Sequence, residues 1–373
     1  GNTVTALWNY AQHFAMSDHC HGTTFGKSTP AALNLVSGQA DGIIDSKDMP
    51  AGFAVDDGSG GLTLLKDAEP LHDRCSEGAQ VAMGGRNIGD LLNAAHVTWG
   101  WFQGGFDLTL VNPNGTSGCK RSSASIVTGA FKPDYLPHHE PFQYYASTAN
   151  PEHARPSSVA GIGRSGDAAN HQYDIEDFYR AVRAGNFPQV SFLKAKGSGN
   201  GHAGYSTPLD EQAFLVHVIN FLQDTPEWKN TAVVIAWDDS DGWYDHQMPP
   251  IVNQSSSRAD ALTGPGACGD GNTALPGIAD KAAHAQGRCG YGPRLPLLVA
   301  SPWARRNFVD HTLTDQTSII RFVEDNWLHG QRIGQGSFDA LANPLDAMFD
   351  FDRRPANPGA RKLMLSEATG QPR

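Results

Sequence analysis

The chain has 373 residues, of which 39% are hydrophobic and 18% are charged, and its formal net charge at pH 7 is −11. This length suits an enzyme better than a small binding module, and it allows a core large enough to fold without a structural metal ion. The negative charge disfavours general binding of nucleic acid, and no apolar run approaches the roughly 20 residues that span a membrane, so we expect neither nucleic acid nor stable membrane insertion.

Apolar residues recur at helical spacing along much of the chain. Ser206 and Thr207 supply a candidate N-cap ahead of Pro208, and Gly185 and Gly330 each follow the end of an apolar-periodic segment. The predicted helices cover residues 31–36, 86–97, 174–184, 211–224 and 317–329.

Strand signals alternate with the helices, at residues 98–102, 189–194, 231–237 and 295–300. AVVIAW and PLLVA are continuous apolar runs, which are typical of strands covered on both faces in a parallel sheet. The alternation predicts an α/β fold with a mostly parallel central sheet sandwiched by helices. Residues 252–291 are rich in Gly, Ala, Ser and Pro, and we interpret them as a loop-rich insertion beside the sheet.

Five cysteines occur, and none has the CxxC spacing of zinc sites or redox motifs. Four of them lie in polar, glycine-rich segments, where disulfides are more typical than buried thiols. Pairing between sequence neighbours predicts the disulfides Cys75–Cys119 and Cys268–Cys289, the second of which ties the insertion. Disulfides form in an oxidising compartment, so we expect a secreted or periplasmic protein.

A cluster of carboxylates follows the predicted strand at 231–237. Asp238 and Asp239 are adjacent at the strand's carboxyl end, where ligands bind in open α/β sheets. Neighbouring carboxylates repel each other unless a cation neutralises them, so one interpretation is a divalent metal site. The other interpretation is a polar turn that caps the strand. An EF-hand is excluded, because Trp237 would occupy its first ligand position.

A second candidate site is Ser28, in the segment CHGTTFGKSTP. Residues 26–28 are similar to the end of a phosphate-binding P-loop, but His21 stands where that motif needs glycine. Pro30 likewise breaks the G-x-S-x-G pattern of a hydrolase elbow. Because Ser28 precedes a predicted helix, its hydroxyl is either a nucleophile, activated by Lys27 or a metal ion, or an N-cap.

Three of the fifteen histidines are placed for chemistry. His138 and His139 lie in the loop PHHEPF, and His202 lies in a glycine-rich loop after the predicted strand at 189–194. A loop histidine beyond a strand end can bind an anion or transfer a proton, although most surface histidines do neither.

Together, these segments resemble the bacterial phosphoesterase family of acid phosphatases and phosphocholine-type phospholipases C, in the alkaline-phosphatase-like superfamily. The resemblance extends from Leu7 to about Phe351 and rests on five motifs in the family's order: FGKSTPAALNLVSGQ, HHEPFQYY, NFPQVSFLKAKGSGNGHAG, AVVIAWDDSDGWYDHQMPP and LPLLVASPWARRNFVDHT. It implies an alkaline-phosphatase-like fold and a single phosphoesterase catalytic domain over residues 1–373.

The resemblance also implies roles for the candidate residues. Ser28 takes the position of a nucleophile that is also a metal ligand, and Asp238 and Asp239 take those of carboxylate ligands to one divalent metal ion of unknown identity. The family draws further ligands from an Asn preceded by Glu, in an upstream segment. No Glu-Asn dipeptide occurs in this chain, so we expect the N-terminal part of the fold to be missing from it.

The histidines take phosphate-handling positions in the same resemblance. His139 and His202 correspond to residues that bind phosphate or move protons, and His138 joins them in the substrate site. A protonated histidine in this pocket favours an acidic pH optimum, because phosphate binding and leaving-group protonation both need His⁺.

The predicted function is therefore hydrolysis of small phosphate monoesters, as in an acid phosphatase, through a phosphoserine on Ser28. One alternative is a phospholipase C that cleaves phosphodiesters of phospholipids. That branch typically carries further C-terminal modules, for which the polar tail after the last predicted helix leaves no room. A second alternative is a non-catalytic protein that binds phosphate esters without turnover.

Overall fold

A computed structural model of the protein describes residues 4–57, 61–240, 245–254, 259–261, 263–269, 288–352 and 357–373. The helices in this part of the chain are α1 (Thr5–His13), α2 (Ser28–Ser37), α3 (Ile88–Ala94), α4 (Ile175–Arg183), α5 (Pro208–Gln223) and α6 (Thr317–Trp327). The strands are β1 (Ala15–His21), β2 (Ile43–Lys47), β3 (Ala54–Asp56), β4 (Leu62–Leu64), β5 (Glu69–Pro70), β6 (Gln80–Met83), β7 (Trp99–Gln103), β8 (Ser122–Ala124), β9 (Phe131–Pro133), β10 (Gln172–Asp174), β11 (Val190–Lys194), β12 (Val233–Ala236), β13 (Arg294–Ala300), β14 (Phe308–Asp310) and β15 (Thr314–Asp315).

The predicted helix ends are present, because the capping residues form the expected bonds. The Asp174 side chain accepts a hydrogen bond from the backbone N–H of Glu176 at the start of α4, and Gly185 follows that helix with φ +73°. Before α5, Thr207 and Asp210 cap each other's backbone in a capping box. The four predicted strands correspond to β7, β11, β12 and β13.

The strands form several sheets. The largest has five strands in the order β12-β13-β1-β14, and β15 also pairs with β1. A second sheet is parallel and has the order β10-β7-β11. Smaller groups are β2-β6-β5 and the pairs β3-β4 and β8-β9.

The structure confirms an α/β fold, but the prediction of a mostly parallel central sheet is wrong for the largest sheet. β13 runs antiparallel to both β1 and β12, whereas β14 and β15 run parallel to β1. The apolar runs had indicated burial on both faces, which does not determine strand direction. β13 begins at the edge of the sheet where β12 ends, so the two paired strands run in opposite directions. The alkaline-phosphatase-like arrangement stays a prediction.

Helices cover both faces of β7, because its alternate side chains enter two different hydrophobic cores. Trp99 and Trp101 belong to the core that includes α2, α3 and α6. Phe102 belongs to the other core, where its ring contacts the rings of Tyr173 and Phe178. Helical elements therefore lie on both faces of this three-stranded parallel sheet.

Both predicted disulfides are present. Cys75 pairs with Cys119 and Cys268 pairs with Cys289, with Cα–Cα distances of 5.3 and 5.9 Å. Much of the predicted insertion at 252–291 lies outside the described residues, so its loop-rich character stays a prediction. In the part of the chain that the structure describes, no helix combines the length and the apolar character that crossing a membrane requires.

Candidate active site

Ser28 is the first residue of α2, and its Oγ donates a hydrogen bond to Oδ2 of Asp239 at 2.9 Å. The N-cap position belongs to Lys27, whose side chain makes no capping bond. The cap comes from a distant carboxylate instead, since Asp67 Oδ1 accepts a hydrogen bond from the backbone N–H of Thr29 at 3.0 Å. The alternative interpretation of Ser28 as an N-cap is therefore wrong.

The two carboxylates after β12 have different partners. Asp238 Oδ2 lies 3.3 Å from Nζ of Lys194, the last residue of β11, while Asp239 accepts the hydrogen bond from Ser28. Both side chains are half-buried. Each carboxylate thus reaches a residue at the start or end of another element, rather than only capping its own strand as the alternative interpretation held.

Gln316, immediately before α6, holds this strand end in place. Its Nε2 donates hydrogen bonds to the carbonyl oxygens of Trp237, at 3.1 Å, and of Asp238. Its Oε1 accepts a hydrogen bond from the backbone N–H of Thr23 at 3.1 Å, in the loop that leads to α2. One side chain therefore connects the loop before Ser28 to the loop that carries the carboxylates.

Of the predicted histidines, His139 lines the same cavity as Lys194 and Asp238. His139 is only 2% exposed, and its ring lies nearly perpendicular to that of His138 with 4.3 Å between ring centroids. His202 is half-buried, and its ring stacks on Tyr205 at a centroid distance of 4.4 Å. His202 Nδ1 lies 2.6 Å from the carbonyl oxygen of Ala203, which orients the imidazole.

Burial and neighbouring charges shift the pKa of the half-buried His138 and of the buried His139. Burial lowers the pKa of His138, the carboxylates of Asp67 and Asp238 oppose this change, and Lys194 reinforces it. Burial also holds the pKa of His139 well below its usual range, reinforced by positive charge on Lys194. Both histidines are therefore disposed to be neutral near pH 7 and to gain a proton only at more acidic pH.

The sequence analysis does not identify two residues of this pocket, Lys194 and Asp67. Lys194 ends a predicted strand, so the rule that ligands bind beyond strand ends could have identified it. Asp67 lies between short strands in a segment with no distinctive pattern, and only the folded chain brings it to α2.

Asp73, Cys75 and His153 form a second group of possible metal ligands, with ligand atoms within 4.8 Å of one another. Cys75 is disulfide-bonded and offers no thiolate. The Asp73 carboxylate already accepts hydrogen bonds from Tyr135 at 2.6 Å and Gln143 at 2.7 Å, and lies 3.1 Å from Nε2 of His153. We interpret this buried group as a structural hydrogen-bond network.

A helix-initial serine, two carboxylates and a lysine that meet beside strand ends of an α/β fold have the polar groups and the position of an enzyme active site. The chain belongs to the phosphoesterase family, whose model matches residues 1–328. This match confirms the resemblance seen in the five sequence motifs.

The chain is also similar to several phospholipases C. It is 27% identical over 285 residues to a non-hemolytic phospholipase C of Burkholderia pseudomallei, a match that covers 74% of this chain and 35% of that protein. It is 30% identical over 165 residues to a non-hemolytic phospholipase C of Pseudomonas aeruginosa, covering 42% of this chain and 22% of that protein. A non-specific phospholipase C6 of Arabidopsis thaliana is 26% identical over 148 residues, 37% of this chain and 24% of that protein. The matched regions thus span about a third or less of these relatives.

Proposed function

We propose that the chain hydrolyses phosphate monoesters with Ser28 as the nucleophile, through a phosphoserine intermediate. The observation that carries this proposal is the 2.9 Å hydrogen bond from Ser28 Oγ to Asp239 at the start of α2. A serine in this position has an acceptor beside its proton and the positive end of the helix dipole beside its oxygen. Membership of the phosphoesterase family supports the class of bond that is cleaved.

The donor set suits one divalent metal ion held by Ser28, Asp239 and Asp238. Divalent cations such as Mg²⁺ and Ca²⁺ prefer carboxylate and other oxygen ligands, and Ser28 Oγ and Asp239 Oδ2 lie 2.9 Å apart, so both oxygens could contact the same ion. A bound divalent ion would lower the pKa of the serine hydroxyl and neutralise phosphoryl charge.

The side chains supply the remaining steps. Ser28 Oγ forms a bond to phosphorus as the bond from phosphorus to the ester oxygen breaks. The Ser28 hydroxyl proton passes to the Asp239 carboxylate that accepts its hydrogen bond, and a histidine protonates the departing alcohol. Water then cleaves the phosphoserine and releases phosphate. The half-buried Lys194 ammonium is placed to offset charge on the phosphoryl oxygens, and the buried His139 is placed to move a proton within the pocket.

The two disulfides are compatible with an oxidising compartment, and we propose a secreted or periplasmic location. A monoester is the substrate we propose first, because a dianion matches a pocket that contains Lys194 and several histidines.

Phospholipase C activity is the second candidate, and two observations favour it. The matched relatives are named phospholipases C. In addition, the β8–β9 hairpin and the neighbouring loop expose apolar side chains near the His202 loop: Val111 (67% exposed), Ile126 (72%) and Phe131 (59%). Lys132 in that hairpin lies 5.6 Å from the ring of Tyr205, which stacks on His202. Val111, Ile126 and Phe131 thus form an apolar rim beside the proposed catalytic pocket. Exposed apolar side chains in this position suit contact with a lipid surface.

Hydrolysis of p-nitrophenyl phosphate tests the proposal. The chain is first treated with chelator and then supplied with Mg²⁺, Mn²⁺, Ca²⁺ or Zn²⁺ in turn. We expect turnover with at least one ion, and an acid-quenched reaction should give a phosphorylated peptide at Ser28. Saturable phosphate binding without turnover under every condition would support the non-catalytic alternative instead.

A further inference from the structure

Two neighbouring histidines of β1 have no part in the proposed reaction. His19 and His21, here named the histidine pair, are two positions apart in the strand. Their ring centroids are 5.3 Å apart, and the ring planes meet at 63°. Cys20, between them, packs in the hydrophobic core on the other face of the strand. The pair is therefore a cluster of two imidazoles without the thiol.

Both rings of the histidine pair are oriented in the same way. Nδ1 of His19 lies 3.2 Å from the carbonyl oxygen of His311, and Nδ1 of His21 lies 3.2 Å from that of Gly292. A carbonyl oxygen can only accept, so each Nδ1 carries the hydrogen, and in the neutral ring Nε2 keeps its lone pair. Histidines that bind a metal ion through one ring nitrogen are typically oriented by such a hydrogen bond from the other.

Nε2 of His21 lacks a partner. The side chain is 0% exposed, and this nitrogen has no hydrogen bond among the described residues. A buried polar atom without a partner is unfavourable, so the position favours a ligand that accepts the lone pair. The ring of Tyr291 stacks on one face of His21 at a centroid distance of 5.9 Å. His19 is half-buried, so the pair reaches solvent on that side.

The spacing of the two rings suits a single metal ion. Because bonds from Zn²⁺ to imidazole nitrogen are about 2.1 Å long and the geometry is tetrahedral, two imidazoles on one ion have centroids roughly 5 Å apart. The observed 5.3 Å agrees with this value. Arg294, opposite His21 in β13, forms an ion pair with Asp245, so its positive charge is neutralised beside the site.

We propose that the histidine pair binds one Zn²⁺ ion through both Nε2 atoms, with water as the remaining ligand. Imidazole suits Zn²⁺, whereas Mg²⁺ and Ca²⁺ prefer oxygen ligands such as those of Ser28 and Asp239. The site is therefore distinct from the candidate active site and independent of the proposed reaction. His311 follows β14 and Gly292 precedes β13, so the bound ion connects three segments of the largest sheet and stabilises the folded chain.

Calorimetric titration with Zn²⁺ tests the inference on a 373-residue parent in which Asp238→Asn and Asp239→Asn remove the carboxylates of the candidate active site. We expect one Zn²⁺ ion per chain, and His19→Asn should weaken its binding about tenfold or more, because one of two protein ligands is lost. His72→Asn, at an exposed histidine, and Cys20→Ala are the matched controls and should leave the affinity unchanged. Equal affinity in the parent and His19→Asn would overturn the proposal, as would loss of the ion in Cys20→Ala.

Cu²⁺ in place of Zn²⁺ identifies the ligands directly. Its electron paramagnetic resonance spectrum should show two nitrogen ligands in the parent and one in His19→Asn or His21→Asn, and a spectrum with oxygen ligands alone would contradict the site. Thermal melts in chelator check that the variants fold. If the buried His21 proves essential for folding, His19→Asn decides the question, because Zn²⁺ should raise the Tm of the parent but not that of this variant. An equal increase in both would overturn the proposal.

Discussion

Ser28 Oγ lies 2.9 Å from Asp239 Oδ2, although 211 positions separate the two residues in the chain. Ser28 begins α2 and Asp239 follows β12, so the contact requires a helix start and a strand end to meet at one edge of the fold. Two sequence signals that were separate candidates therefore belong to one pocket.

Ser28→Ala should reduce kcat for p-nitrophenyl phosphate by roughly 1,000-fold or more, because it removes the oxygen that attacks phosphorus. The melting temperature should change little, since Ser28 is not the residue that caps α2. Ser37→Ala, the same substitution at the last residue of that helix, is the matched control and should retain activity. Loss of activity in Thr29→Val but not in Ser28→Ala would overturn the assignment.

Asp238→Asn and Asp239→Asn should each reduce both activity and bound metal, because each removes a negative charge that a cation needs. Metal content is measured by mass spectrometry of protein dialysed against the ion that gives the highest turnover. Asp224→Asn is the matched control, since Asp224 follows α5 and its side chain is 69% exposed. Unchanged metal content in both active-site variants would contradict the metal assignment.

Most helices and the apolar strands were predictable because their signals are local. The capping box at Thr207 and Asp210 needs only residues that are close in sequence. The central strand β1 was missed, because Ser17, Asp18 and His19 give it a polar sequence. β1 is stabilised by pairing with β13 on one edge and with β14 and β15 on the other, and such long-range pairing leaves no periodic pattern in the strand itself.

The candidate site shows the same contrast between local sequence signals and long-range contacts. Ser28, Asp238 and Asp239 were found because each lies at the end of a recognisable element. Asp67 was not, because its role depends on a hydrogen bond to the backbone of Thr29, 38 positions away. The lowered pKa of the buried His139 could not be predicted from the sequence either, because burial is a property of the folded chain.

Removal of the Cys75–Cys119 disulfide should lower the free energy of unfolding by about 4 kcal/mol in the chain-entropy model. The estimate follows from the 44-residue separation of the two cysteines. A Cys75→Ala and Cys119→Ala double variant, compared with wild type by urea unfolding without reductant, measures the loss. Peptide mapping of the wild type should find both disulfides and a free Cys20, and finding five free thiols would contradict the oxidising compartment.

Stability should decrease with increasing pH because of Glu324. Burial and the neighbouring Asp339 raise the pKa of this carboxyl from 4.5 to about 9, although Arg332 lies 3.1 Å away. From about pH 4.5 upward the unfolded chain loses this proton while the folded chain keeps it, so unfolding becomes more favourable until the folded pKa is passed. Glu324→Gln should flatten the dependence of Tm on pH, and Glu152→Gln, at a side chain 78% exposed, should not. Equal pH profiles for Glu324→Gln and wild type would contradict this account.

The choice between monoester and diester depends on charge and on the apolar rim. A monoester dianion gains more than a diester monoanion from the ammonium of Lys194. Because burial lowers the pKa of His138, its protonated form becomes more abundant only towards acidic pH, and a step that needs that form accelerates as the pH falls. We therefore expect the ratio of kcat/KM for p-nitrophenyl phosphate over p-nitrophenylphosphocholine to exceed one and to increase from about pH 8 to pH 5.

The apolar rim provides an independent test of the same choice. If the protein acts on lipid surfaces, Ile126→Ser should lower hydrolysis of phosphatidylcholine vesicles while leaving the soluble diester unaffected, because Ile126 is 72% exposed on the hairpin beside the His202 loop. Val309→Ser, at an exposed apolar residue on β14, is the matched control. For the monoesterase that we propose, vesicle hydrolysis is weak in all three proteins and Ile126→Ser has no effect. A ratio below one across the pH range, together with a specific loss in Ile126→Ser, would make this protein a phospholipase C.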